Sequence, residues 1–245
     1  MTDKTALILG ARSDMARAIA RELAAHGWDL QLAARDVAAL EADRVDLELR
    51  SGRAVTVHGF DALAVEGHGA FVAGLPVLPD LAVCAVGFMG DQAASEADPV
   101  AAALVMRSNF EGPASVLGVL AEAFAARGSG VLVGISSVAG ERGRAVNYVY
   151  GASKAGFTAF LSGLRNRLAK TGVHVVTVLP GFVATRMTEG MDLPARLVAQ
   201  PEEVAVALRR AVEARRDVIF VRPVWRLVMA VIRAIPERVF KRMRI

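Results

Sequence analysis

The sequence predicts a doubly wound α/β domain built on a parallel sheet of about seven strands. Short apolar runs rich in β-branched residues recur along the chain, and segments with helical spacing lie between them. This alternation is typical of a parallel sheet that is covered by helices on both faces. The chain has 245 residues, of which 54% are hydrophobic. A chain of this size can form one large α/β domain without dividing.

The first half of the chain contains four predicted strands and three predicted helices. The strands cover residues 5–9, 28–34, 54–57 and 80–87. One helix follows the turn after the first strand and runs to about residue 25, and the others cover 36–51 and 99–127. Asp36 is expected to cap the second helix, and Gly112-Pro113 is expected to interrupt the third.

The second half contains three further strands, which are predicted over residues 131–137, 173–179 and 217–221. The run over 173–179 is almost continuously apolar, which suits a parallel strand buried on both faces. Helices are predicted over 147–170 and from about residue 201 onward. We expect residues 1–221 to form one domain that holds all sites, and 222–245 to form a basic amphipathic extension packed on or near it.

Charge and composition exclude several classes of protein. The formal net charge is +4, but residues 222–245 carry seven basic residues and one acidic residue, so the remaining chain has a balance of −2. No nucleic-acid motif accompanies this basic segment, and we expect no nucleic-acid partner. Cys84 is the only cysteine, which excludes an internal disulfide and fits a reducing compartment. Since no signal peptide or membrane span is recognisable, we expect a cytoplasmic protein, with the inner face of the membrane as an alternative.

Three polar residues are predicted to meet where the fifth strand ends. Tyr150 and Lys154 lie four residues apart on a predicted helix and therefore share a face. Ser137 ends the strand thirteen residues before Tyr150. An ammonium group beside a phenol favours its ionised form and lowers its pKa from the ordinary value of ~10. Together the three side chains could protonate and polarise a carbonyl group.

The pattern Ser-x12-Tyr-x3-Lys, with ISSVAG and YGASKAG around it, resembles the short-chain dehydrogenase/reductase family. The resemblance implies a Rossmann fold with strand order 3-2-1-4-5-6-7 and hydride transfer between a nicotinamide cofactor and a carbonyl carbon. It implies that Ser137 hydrogen-bonds the carbonyl oxygen, that Tyr150 gives the proton, and that Lys154 holds the nicotinamide ribose. Asn109 stands where the family completes a catalytic tetrad, although it could instead be a helix-kink residue.

The turn after the first strand, Gly10-Ala-Arg-Ser-Asp-Met-Ala16, predicts a cradle for phosphate, because free N–H groups at a helix start attract anions. Compared with the glycine loop of the family, only Gly10 is retained. Asp14 and Ala16 replace the second and third glycines, which leaves the tightness of the phosphate contact open. The predicted cofactor contacts of this turn are Gly10, Arg12, Ser13, Asp14 and Met15.

The end of the second strand predicts the form of the cofactor. Ala34 stands where an acidic residue would bond the adenosine ribose 2′-hydroxyl, and Arg35 follows it. A guanidinium group can bind a 2′-phosphate in bidentate fashion, which favours NADP(H) and leaves NAD(H) as the alternative. Arg12 could add to this charge or could simply be solvated.

The resemblance implies further cofactor contacts at the ends of later strands. Asp61 is expected near the adenine ring, with a simple helix cap as the alternative, and Gly87 is the one residue kept from the family pattern Asn-Asn-Ala-Gly. Residues 180–185 match the family pattern P-G-x-V-x-T. Pro180, Gly181, Val183 and Thr185 are therefore expected on the nicotinamide side. No metal site is predicted.

Residues 222–245 predict an amphipathic, arginine-rich helix that is broken at Pro236. Such a segment either lies on an anionic membrane surface or packs across a subunit interface or the substrate cleft. This ending and the segment GERGRAVNYVYGASKAG are similar to one branch of the family, the decaprenylphosphoryl 2-keto-pentose reductases. That similarity implies a keto-sugar joined to a polyprenyl phosphate and a flavin oxidase partner.

The sequence as a whole predicts an NADPH-dependent reductase of a ketone or keto-sugar, either small or lipid-linked, with Tyr150 as general acid. By resemblance we expect a homo-dimer or homo-tetramer. Two alternatives remain. One is an NAD-dependent alcohol dehydrogenase, against which Arg35 argues. The other is a non-catalytic dinucleotide-sensing or scaffold protein, which the altered glycine loop favours.

Overall fold

The computed structural model describes residues 4–243, and seven strands form its single sheet. The strands are β1 (Lys4–Leu9), β2 (Trp28–Ala34), β3 (Val55–Gly59), β4 (Leu81–Cys84), β5 (Gly130–Ile135), β6 (Val173–Pro180) and β7 (Val218–Val221). All pairings are parallel, in the order β3-β2-β1-β4-β5-β6-β7. The predicted Rossmann sheet is confirmed. The direction of winding changes between β1 and β4, the place where ligands bind in folds of this class.

Helices cover both faces of the sheet. They are α1 (Asp14–Ala25), α2 (Glu41–Ser51), α3 (His68–Ala73), α4 (Gln92–Ala97), α5 (Pro99–Met106), α6 (Gly112–Arg127), α7 (Tyr148–Leu168), α8 (Pro201–Glu213), α9 (Val224–Ala234) and α10 (Glu237–Phe240). Because successive side chains of a strand point to opposite faces, Ile8 joins the core under α1, α2 and α8 while Leu7 joins the core under α3, α6 and α7. Because each face of the sheet is covered by a core, side chains on both faces of the strands are apolar, and the strands show no alternation of apolar and polar residues.

Two predicted elements differ from the structure in ways that matter for the site. The strand expected over 80–87 ends at Cys84, so residues 85–87 leave the sheet. The helix expected over 36–51 begins at Glu41, because the Asp36 carboxylate accepts a hydrogen bond from the Ala39 N–H at 3.2 Å and caps a separate short turn. In both places the freed backbone borders the edge of the sheet where the strands end.

The predicted long helix over 99–127 consists of α5, a π-turn over Arg107–Glu111, and α6. The break therefore begins before Gly112-Pro113. Gly112 has a different role, since a Cβ there would collide with the carbonyl of Ala62. A π-turn widens the helix by one residue per turn and often occurs at functional sites. Here it brings Asn109 into the interior, where its side chain is fully buried.

The predicted extension forms two helices, and Pro236 separates them as expected. The inner face of α9 packs on the carboxyl end of the sheet, where Trp225 and Met229 are buried with Val138 and Leu179. Residues 244–245 of the extension lie outside the described residues. Within residues 4–243, no helix is long and apolar enough to cross a membrane.

Candidate active site

Two clefts lie along the edge of the sheet where the strands end. The larger has a volume of about 690 Å³, and the glycine turn and the residues after β2 and β4 line it. The smaller has a volume of about 450 Å³, and Ser137, Tyr150 and the segment after β6 line it. The two clefts adjoin, because Phe88 lines the larger and Met89 the smaller.

The structure brings Ser137, Tyr150 and Lys154 together. The first turn of α7 carries Tyr150, whose phenol lies near enough to the Ser137 hydroxyl for that group to influence its pKa. Lys154 follows one turn later and is 3% exposed. Its ammonium group donates a hydrogen bond to the Ile135 carbonyl at 3.1 Å and lies 5.8 Å from the centre of the Tyr150 ring. Their juxtaposition is the one that the spacing predicts, while their catalytic roles stay predictions.

The electrostatics of this cluster differ from the expectation of a lowered tyrosine pKa. Burial raises the pKa of Tyr150 to about 12, and the hydrogen bond from Ser137 opposes this shift only in part. Burial also lowers the pKa of Lys154 to about 8, because the interior disfavours its charge. Burial is therefore the largest influence on the pKa of both groups. The phenol remains protonated at neutral pH, which is the form that can donate a proton to a carbonyl oxygen.

Asn109 connects the π-turn to the residues that follow β4. Its Oδ1 accepts a hydrogen bond from the Phe88 N–H at 3.1 Å, and its Nδ2 donates to the carbonyls of Phe88 and Val105. A Cβ on Gly87 would lie 3.3 Å from Asn109 Oδ1 and 3.6 Å from Lys154 Nζ. Asn109 and Lys154 therefore both lie next to Gly87. Asn109 also satisfies a carbonyl inside the irregular helix, so the helix-kink role and the tetrad position coincide.

The glycine turn has the geometry of a phosphate cradle at its first position. Gly10 has a φ of 78°, and a Cβ there would lie 3.0 Å from the backbone of Ala85. Only glycine fits such a site without strain. Ser13 caps α1 by accepting a hydrogen bond from the Ala16 N–H at 3.1 Å, so the helix start faces the larger cleft.

Asp14, in place of the second glycine, has a partner that sequence reasoning missed. Arg186 follows β6 by several residues, and its Nε lies 3.0 Å from Asp14 Oδ1. The backbone N–H of Arg186 donates to Asp14 Oδ2 at 2.8 Å, and its Nη2 donates to the Arg12 carbonyl at 2.7 Å. Arg186 also lines the larger cleft. The Asp14 carboxylate at the helix start is therefore ion-paired with a guanidinium from the segment after β6.

Charged residues also border the far end of the larger cleft. Arg35 is exposed there at the end of β2, and Arg12 lies 3.2 Å from Asp36 in an ion pair. Asp61 lines the same cleft, and its carboxylate accepts a hydrogen bond from the Leu63 N–H at 3.0 Å. Asp61 therefore lines the cleft and also accepts a local backbone hydrogen bond, so the predicted cofactor contact and the predicted cap do not exclude each other.

Most of the predicted cofactor contacts divide between the two clefts, whereas Asp14 and the buried Lys154 line neither of them. Gly10, Arg12, Ser13, Arg35, Asp61 and Gly87 line the larger cleft, whereas Met15, Pro180, Gly181, Val183 and Thr185 line the smaller one beside Ser137 and Tyr150. A dinucleotide fits this division: phosphates at the helix start beside a glycine that admits no Cβ, adenosine near the arginines, and nicotinamide toward Tyr150.

Several residues of the smaller cleft were not predicted as site residues. Trp225 of the extension forms part of its wall, and an edge-to-face contact holds its ring 5.2 Å from that of Phe182. Arg144 and Asn147 line the same cleft. The only sequence signal for Arg144 and Asn147 is their position six and three residues before Tyr150, in the segment GERGRAVNYVYGASKAG.

Comparisons with known proteins agree with this geometry. A family model described as short chain dehydrogenase matches residues 4–194. An uncharacterized oxidoreductase of Mycobacterium tuberculosis is 41% identical over 244 residues, which cover 97% of this chain and 96% of that protein.

Two solved structures extend the comparison. A short-chain dehydrogenase from Sphingobium yanoikuyae in complex with NADPH has a TM-score of 0.81 at 23% identity, covering 96% of this chain and 97% of its own. A 3-oxoacyl-[acyl-carrier protein] reductase from Brucella melitensis in complex with NAD has a TM-score of 0.79 at 26% identity, covering 93% and 98%. The two neighbours hold different cofactor forms, so likeness alone leaves the preference open.

Proposed function

Because the chain belongs to the short-chain dehydrogenase/reductase family and is an oxidoreductase of that family, we propose that it reduces a ketone or keto-sugar with NADPH. The observation that carries the proposal is the cluster of Ser137, Tyr150 and the buried Lys154, of which Ser137 and Tyr150 line the smaller cleft. One cleft fits a dinucleotide, and the other is large enough for a carbonyl substrate.

The residues divide the reaction between them. When bound, NADPH supplies the hydride that the carbonyl carbon accepts. Ser137 donates a hydrogen bond to the carbonyl oxygen and orients it toward Tyr150. As negative charge develops on that oxygen, Tyr150 transfers its phenolic proton and becomes a phenolate. Lys154 stabilises this phenolate by its positive charge and holds the nicotinamide ribose, and Asn109 fixes the backbone around it.

The protonated state of Tyr150 supports its role as the acid of the reduction. With its pKa raised to about 12, the phenol is available as an acid, whereas alcohol oxidation needs a phenolate as base. The exposed Arg35 and the neighbouring Arg12 favour the 2′-phosphate of NADPH over the 2′-hydroxyl of NADH. The first alternative to this proposal is an NAD-dependent alcohol dehydrogenase. The second is a non-catalytic dinucleotide-sensing or scaffold protein.

Arg35→Asp is expected to weaken NADPH binding by about 10- to 100-fold, because a charge-assisted contact to phosphate is replaced by repulsion. NADH affinity should change far less, so the preference should reverse. Fluorescence titration of the wild-type protein and the variant with both cofactors measures this. Arg50→Asp on the exposed surface of α2, outside both clefts, controls for the change in net charge.

The wild-type titration also discriminates among the alternatives. A preference of the wild-type protein for NADH would overturn the assignment of Arg35 and favour the alcohol dehydrogenase. Failure to bind either cofactor would show that Asp14 and Ala16 disable the glycine turn, and it would favour the scaffold reading.

We also propose that the outward face of the extension contacts an anionic membrane, which would suit a lipid-linked substrate. Leu227, Val231 and Val239 are 68%, 58% and 53% exposed. Basic residues surround them at Arg226, Arg238, Lys241 and Arg242. Apolar and basic side chains together bind anionic lipid surfaces.

Assembly into a homo-dimer or homo-tetramer is proposed as well, supported by a shallow apolar groove along α6 and α7.

Vesicles that contain phosphatidylglycerol are expected to sediment with the protein, and vesicles of phosphatidylcholine alone are not. Leu227→Glu should reduce the bound fraction by about tenfold, because it buries a charge in the interface instead of an apolar side chain. Leu49→Glu is the matched control, since Leu49 is 81% exposed on α2. The proposed contact would be contradicted if both variants lost the same fraction of vesicle binding. It would also be contradicted if the wild-type protein bound both kinds of vesicle equally.

A further inference from the structure

Arg144 is an unpaired arginine in the wall of the smaller cleft. Its Nε is buried and has no hydrogen-bond partner, and no ion pair joins it to another residue in the described part of the chain. The nearby Arg142, in contrast, has both hydrogen-bond and ion-pair partners. Arg142 donates to the carbonyls of Ile232 and Ile235 at 2.6 Å each and lies 2.9 Å from the Glu237 carboxylate.

Asn147 presents a second unpaired group to the same cleft. Its Oδ1 is buried without a partner, although the residue stands at the N-cap of α7, where such a side chain usually bonds the helix backbone. The backbone around it is well fixed: the Asn147 N–H donates to the Arg144 carbonyl at 3.0 Å, and the Gly151 N–H donates to the Asn147 carbonyl at 2.8 Å. These backbone hydrogen bonds hold Arg144 and Asn147 in a turn directly before α7, the helix that carries Tyr150.

Leaving such groups without partners is costly. A buried polar atom without a hydrogen bond destabilises the fold, and a guanidinium that is removed from water without a counter-charge does so more strongly. Burial accordingly lowers the pKa of Arg144 from its ordinary value. The remaining wall is largely apolar, with Phe182, Met187 and Trp225 among its members. An apolar wall strengthens any charge-assisted bond that forms inside the cleft.

We propose that the substrate carries an anionic group, a carboxylate or a phosphate, that Arg144 binds through its guanidinium fork, and a hydroxyl that donates to Asn147 Oδ1. The chemistry follows from the groups that lack partners: a planar guanidinium matches two oxygens of an anion, and an amide oxygen needs a donor. This inference rests on the proposed reductase function, since it names the substrate class of that same cleft.

The first test compares matched ketones with the NADPH-loaded enzyme. One pair is 4-oxopentanoate and its methyl ester, and the other is dihydroxyacetone phosphate and dihydroxyacetone. The anionic member of one pair should have a kcat/KM about 100-fold higher than the neutral member, and the pair that shows this identifies the anion. Arg144→Met should remove most of the preference, Arg144→Lys should restore part of it, and Arg50→Met should leave it intact. Equal kcat/KM within both pairs would overturn the inference.

The second test needs no turnover and so separates this inference from the proposed function. Calorimetric titration of the protein, with and without NADP+, uses benzoate, phenyl phosphate and benzamide as probes. One of the two anions should bind at least about tenfold more tightly than benzamide, and Arg144→Met should abolish the difference. Asn147→Asp should also weaken it by like-charge repulsion. If an anion binds through Arg144 but no ketone is reduced, the reductase function fails and the anion site stands. If neither anion binds better than benzamide, the anion site is wrong whether or not ketones are reduced.

Discussion

Tyr150→Phe is expected to lower kcat for ketone reduction by about 10³-fold, within the range that general acid catalysis contributes. The substitution keeps the ring near the Lys154 ammonium, which lies 5.8 Å from its centre, and removes only the hydroxyl that Ser137 contacts. Binding of NADPH should change by less than about threefold, because the ribose contact is assigned to Lys154 and the phosphate contacts to the larger cleft. Loss of NADPH absorbance measures kcat, and fluorescence titration measures binding.

The assay is best made at pH 7. At that pH Lys154, with a pKa of about 8, is mainly charged, and Tyr150, with a pKa of about 12, is protonated. Tyr148→Phe is the matched control, since Tyr148 is the chain's other tyrosine and is 45% exposed. Near wild-type turnover in Tyr150→Phe would show that the proton comes from another group. An equal loss of NADPH binding would show that the defect lies in cofactor affinity.

Trp225→Ala is expected to lower the free energy of unfolding by about 3 kcal/mol, at the lower end of the range for a buried tryptophan. The indole is 3% exposed, donates from its Nε1 to the Leu197 carbonyl at 3.3 Å and packs against Phe182. A Cβ on Gly181 would collide with the same ring, so the contact with the segment after β6 is close. For a chain of this length the loss corresponds to a fall in Tm of roughly 6–12 °C, which differential scanning fluorimetry measures.

The same substitution should also raise KM for the substrate, because Trp225 forms part of the wall of the smaller cleft. Trp28→Ala provides the comparison. Trp28 is half-buried at the start of β2, lines neither cleft, and contacts the Lys4 ammonium at 5.5 Å. Both variants should lose stability, and only Trp225→Ala should change KM. An unchanged KM in Trp225→Ala would mean that the extension supports the fold without shaping the cleft.

The sheet could be predicted because each strand is marked locally. Leu7 and Ile8 face opposite cores, and a strand buried on both sides must be apolar throughout, which is visible in the residues themselves. The positions of Ser137, Tyr150 and Lys154 could be predicted for a related reason. Their separation is fixed by one strand end and one helical turn, with no need to know the rest of the fold.

Other parts of the site depend on distant segments, and the sequence does not show them. Asp14 and Arg186 are 172 residues apart in the chain, so their ion pair exists only once β1 and β6 share a sheet. The predicted lowering of the Tyr150 pKa was wrong, because burial, a property of the folded whole, raises it. The π-turn over Arg107–Glu111 was not predicted, although Asn109 was a candidate helix-kink residue, because a π-turn has no recognisable residue pattern.

The two faces of α9 place a wall of the smaller cleft and the proposed membrane contact on one helix. Trp225 faces the smaller cleft, while Leu227 and Val231 face outward. Suppose that a surface binds the outward face of α9 more tightly when Trp225 is packed against Phe182 in the wall of the cleft. Binding of that surface will then raise the affinity of the cleft for its substrate. By thermodynamic reciprocity, the substrate will then raise the affinity for that surface by the same factor. With the membrane as the proposed surface, substrate-loaded enzyme and substrate-free enzyme would therefore partition differently between membrane and solution.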